Sequence, residues 1–334
     1  MSLQVYTATA EQVYGGLSLR DGIQLMRRAF LALADGKIDQ PLRTIVKSPL
    51  STGYLGLMPA CVDDPGIYPT PVYGVKVGTL FPGNPALGKD PHQGCVMLMS
   101  GETGETLAVV DASSVTALRT AAVSGLAADL LARPDARVLT LFGAGHQAEW
   151  QLRAMAAVRP LEAVHVVSRH PDSARRFIER MQPEFPFALA AAADARSAVA
   201  QSDLVLTATN SAAPVLQRSW IRAGTHIVAM GSSTPSHCEI DADTMADARL
   251  FVDRAESTRN ESGEYLGALR AGRIDAGKPL TELGAVLKGT EPGRRDAAEI
   301  TLFKSLGLAL EDVVVAAALR RLFDESGQGV CVEL

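Results

Sequence analysis

The stretch VLTLFGAGHQA, residues 138–148, decides the fold. An apolar, strand-like run leads into glycines spaced as G-x-G-x-x-A, and a helical pattern follows. Gly143 makes the tight turn, Gly145 lets the backbone approach a pyrophosphate, and Ala148 replaces the third glycine. The N-terminus of the following helix favours an anion at this point. The loop therefore predicts a dinucleotide site, with cofactor-binding residues Gly143, Ala144, Gly145, His146 and Gln147.

After residue 137, apolar runs rich in β-forming residues alternate with helical patterns. The runs are Val138–Phe142, Val164–Val167, Leu204–Ala208, His226–Ala229 and Leu250–Val252. Runs without polar alternation are typical of parallel strands buried on both faces, with helices as crossovers. This part of the chain is predicted to be an α/β domain with a Rossmann-type, doubly wound parallel sheet.

The first hundred residues have a different character, because many turn formers separate short apolar runs. One helix is predicted over Leu19–Ala34, and a long helix behind a serine cap begins near Ser113. A final helix, from about Leu306 to Phe323, is apolar enough to pack onto this first part. A smaller α+β domain is therefore expected to precede the dinucleotide domain.

Composition excludes several classes of function. The 334 residues are 47% hydrophobic and carry a net charge of −5, with Lys and Arg spread along the chain. No basic stripe offers a nucleic-acid surface, and no apolar run approaches the roughly 20 residues of a membrane span. Together with an N-terminus unlike a signal peptide, this predicts a cytoplasmic protein. Four cysteines without C-x-x-C spacing indicate neither a zinc site nor a disulfide scaffold.

The residues after the second predicted strand bear on cofactor choice. An NAD-preferring site places an Asp or Glu about 20 residues beyond the glycine loop to bond the ribose 2′-OH. This chain has Ser168, Arg169 and His170 there. Because a hydroxyl and a guanidinium suit a 2′-phosphate, NADP(H) is the preferred cofactor, with NAD(H) possible.

Four separated segments together resemble the ornithine cyclodeaminase/mu-crystallin family over nearly the whole chain. They are VVDASSVTALRTAAVSGLAADLLARP, the GAGHQA loop, VAMGSSTPSHCEID and EITLFKSLGLALEDVVVAAAL. The resemblance implies a substrate-binding and dimerisation domain of residues 1–118 plus 305–334. The Rossmann domain, residues 119–304, is then inserted into it, and the protein is a homodimer.

The resemblance also implies site residues. Arg43, Lys76 and Arg119 match positions that bind the substrate's α-carboxylate and reacting nitrogen, and Lys47 is a competing cation near Arg43. Two guanidiniums grip a carboxylate well, and a lysine in a cationic pocket shifts its pKa enough to exchange protons. Lys76 and Arg119 are the catalytic candidates. Glu261 matches a position near the substrate. Nucleotide contacts are expected at His92, Arg119, Thr209, Asn210, Met230, Gly231 and Lys304.

One departure from the family pattern bears on the reaction. Cyclodeaminases and alanine dehydrogenases of the family carry an Asp where this chain has Ser233, whereas the ketimine-reducing mu-crystallin branch has Ser. A neutral hydroxyl cannot supply the charge of that carboxylate. The leading hypothesis is an NAD(P)H-dependent reductase of small α-imino acids. Alternatives are an ornithine-type cyclodeaminase with tightly bound NAD⁺, an amino-acid (alanine) dehydrogenase and a non-enzymatic ligand-binding protein.

Overall fold

The computed structural model describes residues 4–327 and 330–333. The strands are β1 (Gln4–Ala8), β2 (Ile38–Asp39), β3 (Thr44–Lys47), β4 (Tyr54–Val62), β5 (Val72–Leu80), β6 (His92–Ser100), β7 (Thr106–Asp111), β8 (Val138–Phe142), β9 (Ala163–Val167), β10 (Ala188–Ala191), β11 (Leu204–Thr207), β12 (His226–Ala229), β13 (Arg249–Val252), β14 (Leu280–Glu282), β15 (Thr301–Lys304) and β16 (Val330–Glu333). The helices are α1 (Ala10–Gly16), α2 (Leu19–Ala34), α3 (Ala112–Leu131), α4 (His146–Val158), α5 (Pro171–Met181), α6 (Ala195–Gln201), α7 (Ala242–Asp247), α8 (Ala255–Glu261), α9 (Gly263–Arg270), α10 (Leu283–Leu287) and α11 (Ala309–Ser326).

The chain divides into two compact units. Unit 1 consists of Met1–Arg119 and Leu308–Leu334, and unit 2 of Thr120–Gly307. Unit 1 holds a mixed sheet in the order β16-β1-β7-β6-β5-β4-β2, with β3 also paired to β4. Its neighbours are antiparallel except for the parallel pair β1 and β7.

The long strands of unit 1 pack one face against α11. Even-numbered residues of β5 point to that face, since a side chain at Gly74 would collide with Val313 of α11 and Lys76 bonds Asp312 of the same helix. The odd-numbered face is apolar and only half-buried in the described chain. Its cross-strand rows include Leu57, Val77 and Cys95, and Pro59, Val75, Met97 and Val109.

Unit 2 is a parallel eight-stranded sheet in the order β10-β9-β8-β11-β12-β15-β13-β14. Every residue of β11 and β12 is buried and most are apolar, as is typical of strands covered on both faces. This architecture confirms the predicted α/β class with a doubly wound parallel sheet. The sequence patterns missed β10, β14 and β15, which are short and carry no long apolar run.

Two helix starts differ from the sequence prediction. The cap of α3 is Asp111, whose carboxylate accepts from Ser114 N at 2.8 Å, rather than a serine. The last helix begins at Ala309 instead of Leu306 because Gly307 has a φ of +76° and the N–H groups of Leu306 and Gly307 donate to Asp253. Both changes come from side-chain acceptors that hydrophobic periodicity does not register.

Within the described residues, no helix is long and apolar enough to cross a membrane. The same part of the chain holds no group of three or more His, Cys, Asp and Glu side chains arranged to bind a metal ion.

Candidate active site

Lys76 lies in the middle of β5, on the face that packs against α11. Its cross-strand neighbours are Met58 and Val96, so apolar side chains flank it on both sides. The ammonium donates to Thr116 Oγ1 at 2.7 Å and to the two carboxylate oxygens of Asp312 at 3.2 and 3.4 Å. Only 14% of the Lys76 side chain is exposed. The predicted catalytic amine is therefore held at one place by three acceptor atoms.

Arg119 belongs to the same network. Its Nε donates to Asp312 Oδ1 at 3.2 Å and its Nη1 to Glu311 Oε2 at 2.8 Å. Both carboxylates are fully buried in the first turn of α11, where the helix dipole stabilises negative charge. The structure thus brings Lys76 and Arg119 together, as expected if they act on one substrate.

Sequence reasoning missed Glu311 and Asp312, although a signal for them existed. The two acids interrupt the otherwise apolar run LALEDVVVAAAL, and charged residues in such a run are buried only when they are paired. Thr116, four residues after the helix start and three before Arg119, carried no such signal.

The electrostatics of this network set the acid strength of Lys76. Burial lowers the pKa of its ammonium to about 8, against the opposing attraction of Asp312, and the nearby cations Arg119 and Arg43 lower it further. Arg43 is half-buried just before β3 and also lies near Tyr54, whose pKa is raised by burial. A lysine with a pKa near 8 exchanges protons readily at neutral pH.

A row of three glycines crosses the sheet next to Lys76. Gly56, Gly78 and Gly94 are directly paired on β4, β5 and β6, two residues along the strands from the row that contains Lys76 and therefore on the same face. A Cβ at Gly78 would meet only Gln93 O at 3.8 Å and Lys76 Cε at 3.9 Å. The sheet is therefore bare beside the ammonium, and space is available on the face where Lys76 lies.

His92, predicted to contact the nucleotide, lies in unit 1 at the start of β6. Its side chain is 69% exposed, and its backbone N–H donates to Asp90 Oδ1 at 2.8 Å. Asp90 also accepts from Ser113 Oγ at 3.2 Å. His92 thus occupies an exposed strand end rather than the buried network of Lys76.

The glycine loop of unit 2 fits a dinucleotide. Gly143 has a φ of +114°, and a Cβ there would lie 2.4 Å from Ala208 O, so the turn requires glycine. At Gly145 a Cβ would have no neighbour within 4 Å. Gly145 caps α4 without any side-chain hydrogen bond to the first turn. Open space above free helix N–H groups is what a pyrophosphate needs.

One side chain in this loop has an orphan polar atom. Gln147 Oε1 is buried and has no hydrogen-bond partner among the described residues. His146 precedes it as the first residue of α4, and Ala144 lies half-buried between the two glycines. An unpaired acceptor beside the anion position is consistent with a loop that is completed by a bound molecule.

The residues after β9 lie at the same edge of the sheet, because this strand is parallel to β8. Ser168 Oγ donates to the carbonyl oxygen of His170 at 2.6 Å and so shapes the loop. The side chains of Arg169 and His170 are exposed. Arg175 in the next helix is already bonded to Asp172. Of these two arginines, Arg169 is therefore better placed to bind a phosphate at this edge of the sheet.

Glu239 joins the loops that follow β11 and β12, and sequence reasoning did not single it out. Its carboxylate accepts from Thr209 N at 2.6 Å, Thr209 Oγ1 at 2.7 Å, Thr207 Oγ1 at 2.8 Å and Gly231 N at 2.7 Å. Burial raises the pKa of Glu239 despite these donors. One carboxylate thus fixes the relative positions of Thr209 and Gly231, both of which are predicted nucleotide contacts. Exposed Asn210 and half-buried Met230, the other two predicted contacts of these loops, are their neighbours in the chain.

Lys304, at the end of β15, is buried rather than available to a nucleotide. Its ammonium donates to Ser232 O at 2.6 Å and to Glu264 Oε1 at 3.1 Å, and 1% of its side chain is exposed. This arrangement favours support of the loop over direct contact. Ser233, half-buried, follows Ser232 in that loop, and half-buried Glu261 ends α8.

Comparisons with known proteins agree on one family. The family model of the ornithine cyclodeaminase/mu-crystallin family matches residues 4–326. A Δ1-pyrroline-2-carboxylate reductase of Bacillus cereus is 36% identical over 261 residues, which cover 78% of this chain and 80% of the relative.

Two solved structures are similar over almost their entire length. A Δ1-pyrroline-2-carboxylate reductase of Thermococcus litoralis, in complex with NADH and L-proline, has a TM-score of 0.93 and 34% identity, covering 98% of this chain and 100% of that one. An archaeal alanine dehydrogenase dimer with bound NAD has a TM-score of 0.90 and 30% identity, covering 99% of both chains.

Proposed function

Since the chain belongs to the ornithine cyclodeaminase/mu-crystallin family, we propose that it is an NAD(P)H-dependent reductase of α-imino acids. The observation that carries the proposal is the buried network in which Lys76 and Arg119 share Asp312. A reductase needs a cation for the substrate carboxylate and a proton donor for the nitrogen, and this network holds one of each.

The cations of the buried network suit a carboxylate substrate. Lys76 and Arg119 are paired with Glu311 and Asp312. Arg43 is close enough to lower the pKa of Lys76. We expect Arg43 and Arg119 to hold the α-carboxylate, because guanidinium groups bind carboxylates with two parallel hydrogen bonds.

Lys76 is the group that orients or protonates the imine nitrogen. When bound, the reduced nicotinamide supplies the hydride that adds to the imine carbon. The nitrogen needs one proton to form the amine, and an ammonium with a pKa of about 8 gives it up readily. The uncovered sheet at Gly78 leaves room beside Lys76 for a ring or a short side chain.

The cofactor is expected at the glycine loop and along the carboxyl ends of the neighbouring parallel strands. Two similar structures contain NADH or NAD, which supports a nicotinamide cofactor. We further propose a preference for NADP(H), because Arg169 is exposed at the end of β9 and no acid stands at the 2′-OH position. NAD(H) remains the alternative.

Ser233 separates this proposal from the other reactions of the family. A cyclodeaminase uses bound NAD⁺ to remove and return the same hydride, and its carboxylate at this position serves the distal amine of the substrate. Ser233 offers a neutral hydroxyl instead, which favours a substrate without a second charged amine. A non-catalytic binder would not need Lys76 and two arginines together.

We also propose a homodimer formed through unit 1. The odd-numbered face of its sheet presents the half-buried apolar side chains of Leu57, Val75, Val77 and Met97 in adjacent cross-strand rows, and contiguous apolar surface of this kind marks interaction sites. A second copy related by two-fold symmetry covers such a face with its own. The similar alanine dehydrogenase is a dimer.

The test is an assay of NADPH and NADH oxidation with a panel of cyclic and acyclic α-imino acids. We expect oxidation with at least one imino acid and its loss in Lys76→Met, which removes the ammonium but keeps a side chain of similar length. No oxidation with any member of a broad panel, with the protein folded and cofactor bound, would refute the proposal.

A further inference from the structure

A single carboxylate oxygen joins the two catalytic candidates. Asp312 Oδ1 accepts from Lys76 Nζ and from Arg119 Nε, each at 3.2 Å. Lys76 comes from strand β5, Arg119 from helix α3 and Asp312 from helix α11, so three elements meet at this atom. The Asp312 side chain is fully buried.

We propose that Asp312 is a positioning residue of the active site, which fixes the Lys76 ammonium relative to the Arg119 guanidinium and keeps that ammonium protonated. The inference rests on the proposed function in one respect, namely that Lys76 acts as the proton donor. The other part of the inference is that one buried carboxylate fixes the positions of both cations, and this part does not depend on the substrate.

The groups around Lys76 explain why this carboxylate is needed. Arg119 faces it from α3 and Arg43 from the segment before β3, and both disfavour a second positive charge. Met58 and Val96 flank it on β4 and β6 without charge, and Thr116 is a neutral acceptor. At the start of β6, burial lowers the pKa of the His92 imidazole, and the charge of Lys76 lowers it further. Asp312 is the anion that bonds the ammonium and offsets burial and both cations.

The adjacent carboxylate has a different task. Glu311 Oε2 accepts from Arg119 Nη1 at 2.8 Å, and its Oε1 accepts from Leu308 N at 3.0 Å. Glu311 therefore anchors the guanidinium and caps α11, whereas Asp312 touches both cations. Since the two acids are neighbours with equal burial, Glu311 is a matched control for Asp312.

The experiment compares the pH dependence of kcat/KM for wild type, Asp312→Asn, Asp312→Glu and Glu311→Gln. Loss of an opposite charge within hydrogen-bond reach lowers the pKa of an amine by about 1 to 3 units. In Asp312→Asn the alkaline limb should therefore move to lower pH by that amount, with activity partly recovered in acid. Asp312→Glu, which keeps the charge, should return the limb toward its wild-type position.

Glu311→Gln should mainly raise KM for the imino acid and leave the alkaline limb where it is in wild type. Equal losses of kcat in Asp312→Asn and Glu311→Gln, with both limbs unmoved, would overturn the proposal and leave Asp312 a purely structural residue.

A second measurement does not require turnover. The rate at which an amine-specific acylating reagent modifies Lys76, followed by peptide mass spectrometry, gives its pKa in each variant. A lower value in Asp312→Asn without imine reduction in wild type supports the inference and refutes the proposed function. Equal values in wild type and Asp312→Asn overturn the inference even if imines are reduced.

Should Asp312→Asn fail to fold, wild type alone decides. A Lys76 pKa of about 8 or higher supports an ammonium that a carboxylate keeps protonated. A value of about 5 to 6, typical of a buried lysine without a partner, contradicts the inference.

Discussion

The ammonium of Lys304 lies 3.1 Å from Glu264 Oε1, and neither side chain is more than 1% exposed. Glu264 also accepts from the backbone N–H of Glu239 at 3.1 Å, and Glu239 in turn bonds Thr209 and Gly231. The loops expected to contact the nicotinamide cofactor are therefore supported by a buried chain of polar groups. We therefore expect Lys304 to support these loops rather than to contact the cofactor.

Replacing Lys304 by Met should destabilise the protein by about 3 to 5 kcal/mol, because it leaves the Glu264 carboxylate buried without its cation. Urea unfolding measures this. In the double variant Lys304→Met/Glu264→Gln the cost should be smaller than the sum of the single costs. The exposed pair of Arg321 and Glu325 on α11 serves as a control, and Arg321→Met should cost no more than about 1 kcal/mol. A Lys304→Met variant as stable as the control would show that the buried pair contributes little.

Cofactor preference is expected to depend on Arg169. The change to Ala should weaken NADPH by about 1.5 to 3 kcal/mol, the contribution of a charged hydrogen bond, which is roughly 10- to 150-fold in Kd. NADH affinity should change much less. Arg176→Ala, an exposed arginine of α5, is the matched control and should affect neither. The prediction is wrong if wild type already binds NADH tenfold more tightly than NADPH.

Much of unit 2 was predictable because its central strands carry continuous apolar runs. The order of the strands was not, since β15 follows β13 and β14 along the chain yet lies between β12 and β13 in the sheet. That insertion depends on contacts between distant residues. The same limit applies to the site. Lys76 and Arg119 were predicted from the family resemblance, which rests on local motifs, but their carboxylate partner Asp312 is 236 and 193 residues away in sequence.

Gly78 should control which substrates fit beside Lys76. In Gly78→Val the new side chain enters the bare part of the sheet, and a mismatch of one methylene in a substrate pocket changes transition-state binding by about 1 to 3 kcal/mol. We expect kcat/KM to fall roughly 5- to 150-fold for the larger imino acids. Stability should be equal or higher, since Val favours strands. Gly15→Ala, at an open position of α1, should leave kcat/KM unchanged for all substrates and raise stability by up to about 1 kcal/mol. Equal activity of Gly78→Val on small and large substrates would place the substrate elsewhere.

The dimer proposal predicts a change in assembly for Val75→Asp. A carboxylate in the middle of the apolar face should oppose association, because its desolvation is not compensated there. Sedimentation equilibrium at micromolar concentration should give a dimer for wild type and a monomer for the variant. Leu322→Glu, which places a charge on an exposed position of α11, should remain dimeric. A wild-type monomer at that concentration would reject the proposal.

The most direct test of the reductase assignment measures two products from the wild-type protein. One reaction contains NADPH or NADH and an α-imino acid, and the other contains ornithine and a catalytic amount of NAD⁺. Because Ser233 cannot replace the carboxylate that serves a distal amine, we predict cofactor oxidation with formation of an amino acid in the first, and no ammonia in the second. Rapid release of ammonia from ornithine, with no net oxidation of NADPH or NADH by any imino acid, would contradict the assignment and identify a cyclodeaminase.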